Sequence, residues 1–80
     1  MTLDPTVVYE AVRAWRAAQP HARNRMGRNQ RTKEHFMGES ADAVLARHGI
    51  TWSDRATYLA YERKIRRIAP LRRGRPAPHS

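Results

Sequence analysis

Residues Glu39–Ile65 read "ESADAVLARHGITWSDRATYLAYERKI", and the folding of this stretch decides the fold of the whole chain. Ala41, Val44, Leu45 and His48 recur at helical spacing, behind a cap at Ser40 and with Asp42 in the first turn, where the helix dipole favours an acid. Gly49 stands where the residue past a helix C-terminus belongs, because glycine enters the left-handed region without a Cβ penalty. A second helical pattern begins near Ser53 and runs to about Ala69. Thr51, three residues before Asp54, is one candidate cap for it, and Ser53 is a rival. Within this helix Tyr58, Tyr61, Ile65 and Ile68 share one face. Ala56, Ala60, Arg63 and Arg67 share the opposite face, with Arg55 and Arg66 beside them. Pro70 closes it.

Outward from this pair, Asp4-Pro5 marks a helix start, with Asp4 as N-cap and Pro5 where its missing N–H costs nothing. Val8, Ala11, Val12, Trp15 and Ala18 then form one apolar stripe, and Pro20 is expected to end the helix. "HARNRMGRNQRTK", His21 to Lys33, reads as a basic linker. A further helix is expected from near Thr32, carrying Phe36 and Met37 and interrupted at Gly38. The spacing therefore predicts an all-α, small three-helix domain over residues 1–69, with helices near 5–18, 32–48 and 53–69. Residues 70–80, ending "PLRRGRPAPHS", are expected to form a flexible basic tail. The predicted core comprises Val8, Val12, Trp15, Val44, Leu45, Ile50, Tyr58, Tyr61 and Ile65.

The totals narrow the function. Eighty residues make one small domain, and with no cysteine neither a disulfide framework nor a thiolate zinc site can support it. Apolar runs are short, far below the roughly 20 residues of a membrane span. "MTLDPTVVYE" has no basic region followed by an apolar stretch, so a cytoplasmic location is expected, nucleoid-associated if the chain binds DNA, with no membrane partner. Sixteen Lys+Arg against seven Asp+Glu give a net charge of +9, an imbalance that favours a polyanionic partner.

The segment from about residue 40 to 68 resembles the helix-turn-helix of small bacterial and bacteriophage regulators, including repressor, excisionase and sigma-like modules. That resemblance implies a second helix lying in the major groove. Ser53, Arg55 and Thr57 would then reach base edges from its first turn, where free backbone N–H groups could also meet a phosphate. Arg63, Arg66 and Arg67 would follow on phosphates. Aligning Gly49 with the usual turn glycine puts His48 and Arg55 where apolar residues are customary. One extra residue in the turn brings Ala56 and Leu59 inward instead. In the tail, Arg73-Gly74-Arg75-Pro76 looks like the core of an AT-hook, although Arg72 replaces the usual preceding proline. Gly74 would let the backbone sit deep in a narrow minor groove while Arg73 and Arg75 extend along its floor.

Together these features predict a double-stranded DNA-binding protein, a transcriptional regulator or architectural factor of a bacterium or phage. The alternatives are an RNA-binding or ribosome-associated protein, and a basic module docking on an acidic protein such as a host polymerase component. The Tyr58/Tyr61/Ile65/Ile68 stripe could serve a homodimer as readily as an intramolecular core. Catalysis finds no support: the histidines are isolated, no glycine-rich phosphate loop is present, and no metal, cofactor or small-molecule substrate is expected.

Overall fold

A computed structural model of the protein describes residues 2–26 and 29–70. These form α1 (Pro5–Met26), α2 (Gln30–Arg47), a short 3₁₀ turn (Trp52–Asp54) and α3 (Arg55–Ile68), with no strand among the described residues. The domain is all-α, as the periodicity predicts. No helix among the described residues is long and apolar enough to cross a membrane.

Each helix start follows from a capping side chain. The Asp4 carboxylate accepts from the Thr6 N–H at 2.9 Å. Asn29 does the same for α2, accepting from the Thr32 N–H at 3.0 Å, so that helix begins earlier than its apolar pattern indicates. Thr51 caps only the 3₁₀ turn, and α3 proper is capped by Asp54, which accepts from the Thr57 N–H at 3.3 Å. Neither expected cap, Thr51 or Ser53, holds the α-helix itself. At the other end of α2, Gly49 has φ 78°. The Gly49 N–H donates to the Ala46 carbonyl at 3.0 Å and the Ile50 N–H to the Leu45 carbonyl at 2.9 Å. This is a Schellman motif, and Ile50 folds back against the core beside Leu45.

Several expectations fail. Pro20 does not end α1, which continues to Met26. Ala18 and Ala22 are 7% and 0% exposed on either side of it, and their burial against the core holds the helix together where the local preference is to stop. Residues 21–26 and 30–33 of the expected linker are accordingly helical. Gly38 does not interrupt α2 either, and Ser40 is no cap: its hydroxyl donates back to the Phe36 carbonyl at 3.4 Å, one turn earlier in the same helix.

The core collects Val8, Val12, Trp15, Val44, Leu45, Tyr58, Tyr61 and Ile65 as predicted, with Ile50 only partly buried against it. Val7, Ala11, Met37, Ala41 and Ala69 join them. Because Tyr58, Tyr61 and Ile65 are buried within the chain, their stripe is not available to a homodimer; only Ile68, 39% exposed, remains outside. Ala56, placed inward by the extra-residue alignment, is exposed, while Leu59 is partly buried.

Pro20 is itself exposed, so replacing it removes no packing. It withholds the N–H that the Arg16 carbonyl would accept in a regular helix. Pro20→Ala should therefore stabilise the domain by roughly 1–3 kcal/mol, read as a raised urea midpoint. An unchanged midpoint would mean that α1 does not depend on residues 20–26.

Candidate nucleic-acid interface

The chain carries many arginines, and the structure sorts those it describes by what they touch. Arg66 turns inward. Its guanidinium carbon lies 5.3 Å from the centre of the Trp15 ring. A Cβ built on Gly38 would stand 2.8 Å from an Arg66 terminal nitrogen and 3.6 Å from the Trp15 ring. Gly38 therefore leaves the gap in α2 through which Arg66 reaches Trp15. Arg16 also serves the fold: its Nε donates to the Ala69 carbonyl at 3.0 Å and a terminal nitrogen to the Ile68 carbonyl at 3.1 Å, satisfying the C-terminal end of α3. Arg13 lies over the Tyr9 ring at 5.7 Å, and Arg55 over the Trp52 ring at 5.2 Å.

What remains on α3 is its outer face. Arg63, Lys64 and Arg67 are exposed there and pair with no acid among the described residues, and exposed Ala56 and half-buried Ala60 continue the same face toward the N-terminus. Arg63 and Arg67 are one turn apart, about 6 Å along the axis. Lys64 was not singled out by the sequence pattern, although its place between these arginines is the signal that would have found it.

The start of α3 is arranged differently from expectation. The Thr57 N–H that a phosphate would use is bonded to Asp54, and the Thr57 hydroxyl donates to the same carboxylate at 2.6 Å. These two bonds hold the Asp54 carboxyl below its ordinary value. The Ser53 hydroxyl pairs with that of Thr51 at 2.7 Å. A fixed negative charge thus occupies this helix terminus, which disfavours a phosphate there. Of the three first-turn candidates, Arg55 alone points a free cationic group outward, steadied by Trp52. That tryptophan is 57% exposed and leans on Tyr58 with ring centres 5.0 Å apart. Arg73, Gly74, Arg75 and Pro76 lie outside the described residues.

The acids gather on the side of α3 that faces α2. Burial pushes the Glu62 carboxyl up, and hydrogen bonding to Asp42 and repulsion from it add to the rise, with Arg66 opposing. The Tyr58 phenol is pushed up to about 12, first by burial and then by Asp42 and Glu62. The α3 surface is therefore polarised, with carboxylates toward α2 and unpaired cations away from it. His35 and Glu39, 3.5 Å apart on one exposed helix face, form an ordinary i,i+4 pair.

No protein-family model, curated protein or solved structure matches this chain.

A carboxyl whose folded pKa lies above its unfolded value destabilises the fold at pH values above the folded pKa. That penalty vanishes once the pH falls below the unfolded value of 4.5. Glu62→Gln should accordingly raise the thermal midpoint at neutral pH, and the gain should close as the pH is lowered through the carboxylate range. A pH series of melting curves for both proteins reads this directly.

Proposed function

We propose that this protein binds duplex DNA through the outer face of α3, as a regulator or architectural factor, with the basic tail as an auxiliary arm. The observation that carries the reading is the set of unpaired, exposed cations Arg63, Lys64 and Arg67 on one helix face. In a chain of net charge +9 this is the face of α3 from which acids are absent. The helix follows a short turn after α2, so its outer side stands clear of the other two helices, as a helix entering the major groove requires. Ala56 and Ala60 keep its N-terminal half slim, which allows close approach to a groove. Arg55, braced by Trp52, is the side chain best placed to read a base edge, while Arg63, Lys64 and Arg67 fit phosphates. Arg66 is assigned to the fold. Arg73, Gly74, Arg75 and Pro76 are proposed to enter the minor groove beyond the helix, where an A·T tract offers the strongest negative potential.

Salt dependence of duplex binding tests the reading. Replacing Arg63, Lys64 and Arg67 together by Ala should flatten the slope of log affinity against log salt by about 2.7, with little change in thermal midpoint. Arg66→Ala should do the reverse, lowering stability by about 1–2 kcal/mol while flattening the slope by no more than one contact. If the triple variant binds duplex with the parent's salt slope, the α3 face is not the interface. Tighter binding of structured RNA than of duplex by the parent would move the same face to an RNA partner.

The tail has its own test, because Gly74→Ala keeps every charge and adds one Cβ. Preference for A·T-rich duplex over G·C-rich duplex should fall on this substitution, measured by competition at fixed salt. Unchanged preference would reduce the tail to a basic extension.

A further inference from the structure

We propose that the groove between the start of α1 and the end of α3 docks an acidic amphipathic helix of a partner protein. The proposal does not rest on the DNA-binding reading, although the two surfaces share Lys64 at their border. The groove has a volume of about 870 Å³ and is walled by Leu3, Val8, Tyr9, Val12 and Ile68, with Arg16 and Lys64 at its edges. Val8 and Val12 form a buried floor, whereas Tyr9 is 61% and Ile68 39% exposed. Two of the three large apolar side chains that the described residues leave exposed therefore meet in one place. From Pro5 to Val12 the floor rises about 10 Å, the length over which an amphipathic helix presents apolar residues at i, i+3, i+4 and i+7.

Charge selects the occupant. No acid among the described residues lines the groove, and its edges carry Lys64 and Arg16, with Arg13 next to it over Tyr9. Arg16 is committed to the Ile68 and Ala69 carbonyls, which leaves Lys64 and Arg13 to meet carboxylates. The tail of this chain starts nearby, but Arg72, Arg73 and Arg75 would bring like charge to these edges. A second copy would bring the same rim cations and another net +9. An apolar stripe flanked by Glu or Asp matches both the walls and the edges.

The probe is a fluorescent peptide of about 14 residues with Leu at i, i+3, i+4 and i+7 and Glu elsewhere, set against a scrambled peptide of equal composition. At about 0.15 M salt the patterned peptide should bind at least tenfold more tightly, and should shift the amide signals of Val8, Tyr9, Val12 and Ile68. Tyr9→Ala, at an exposed position, should weaken the patterned peptide roughly tenfold and leave the scrambled peptide and duplex DNA unaffected. Equal binding of the two peptides, or no loss with Tyr9→Ala, overturns the proposal. A rise of more than about tenfold on deleting residues 71–80 would make the tail the occupant and equally overturn it. So would a concentration-dependent dimer that Tyr9→Ala abolishes, since a second copy would then fill the groove.

Discussion

Everything in this domain turns on the burial of Trp15, which is 2% exposed at the point where the three helices meet. Its ring is contributed by α1, approached by the backbone of α2 at Gly38, and covered by the Arg66 guanidinium from α3. A small domain without disulfides depends heavily on such a centre, because its core has no covalent support. The arrangement has a cost. The Trp15 indole N–H and the Gln19 side-chain oxygen are buried without hydrogen bonds among the described residues. Further out, α1 acts as the spine. The Asp4 N–H donates to the Tyr61 hydroxyl at 2.8 Å, Arg16 closes α3, and Glu10 meets His48 at 2.7 Å at the end of α2.

That framework explains why the arginines of a strongly basic chain are not equivalent. Arg16 and Arg66 spend their donors and stems on helix ends and ring faces, so their loss would be felt as stability. Arg63 and Arg67 point the other way and contribute nothing visible to packing. The same helix therefore divides its cations between holding the fold and facing outward. The division is set by a rotation of about 100° per residue relative to the Tyr58/Tyr61/Ile65 stripe.

The apolar groove and the basic face lie on neighbouring sides of α3, with Lys64 at their border. A nucleic acid on one side and an acidic helix on the other would each draw on the unbalanced charge, and Lys64 is the residue for which they would compete. The acids are arranged consistently with this. Asp42 and Glu62 lie toward α2, where Arg66 offsets them, and Asp54 is spent on the cap of α3.

Local chemistry in the sequence was enough to determine where several elements begin and end. Asp4-Pro5 starts α1 because a carboxylate and a donor-free ring suit a helix N-terminus wherever they occur. Gly49 ends α2 because glycine adopts the positive φ of a helix end without a Cβ clash, and the stripe of Tyr58, Tyr61 and Ile65 picks the buried face because helical periodicity is fixed. Burial that no local pattern reports decided the rest. α1 runs through Pro20 because Ala18 and Ala22 are packed on both sides of it, and α2 runs through Gly38 because the missing side chain there makes room for Arg66. Asn29 and Asp54 were legible as caps in principle, but the basic run around one and the rival hydroxyls near the other obscured them. Which of the exposed arginines lie against the fold was not legible at all. A guanidinium is attracted equally to a ring, a carbonyl or a phosphate, and only the position of Trp15 against α3 determined that Arg66 would take the ring and leave Arg63 and Arg67 free.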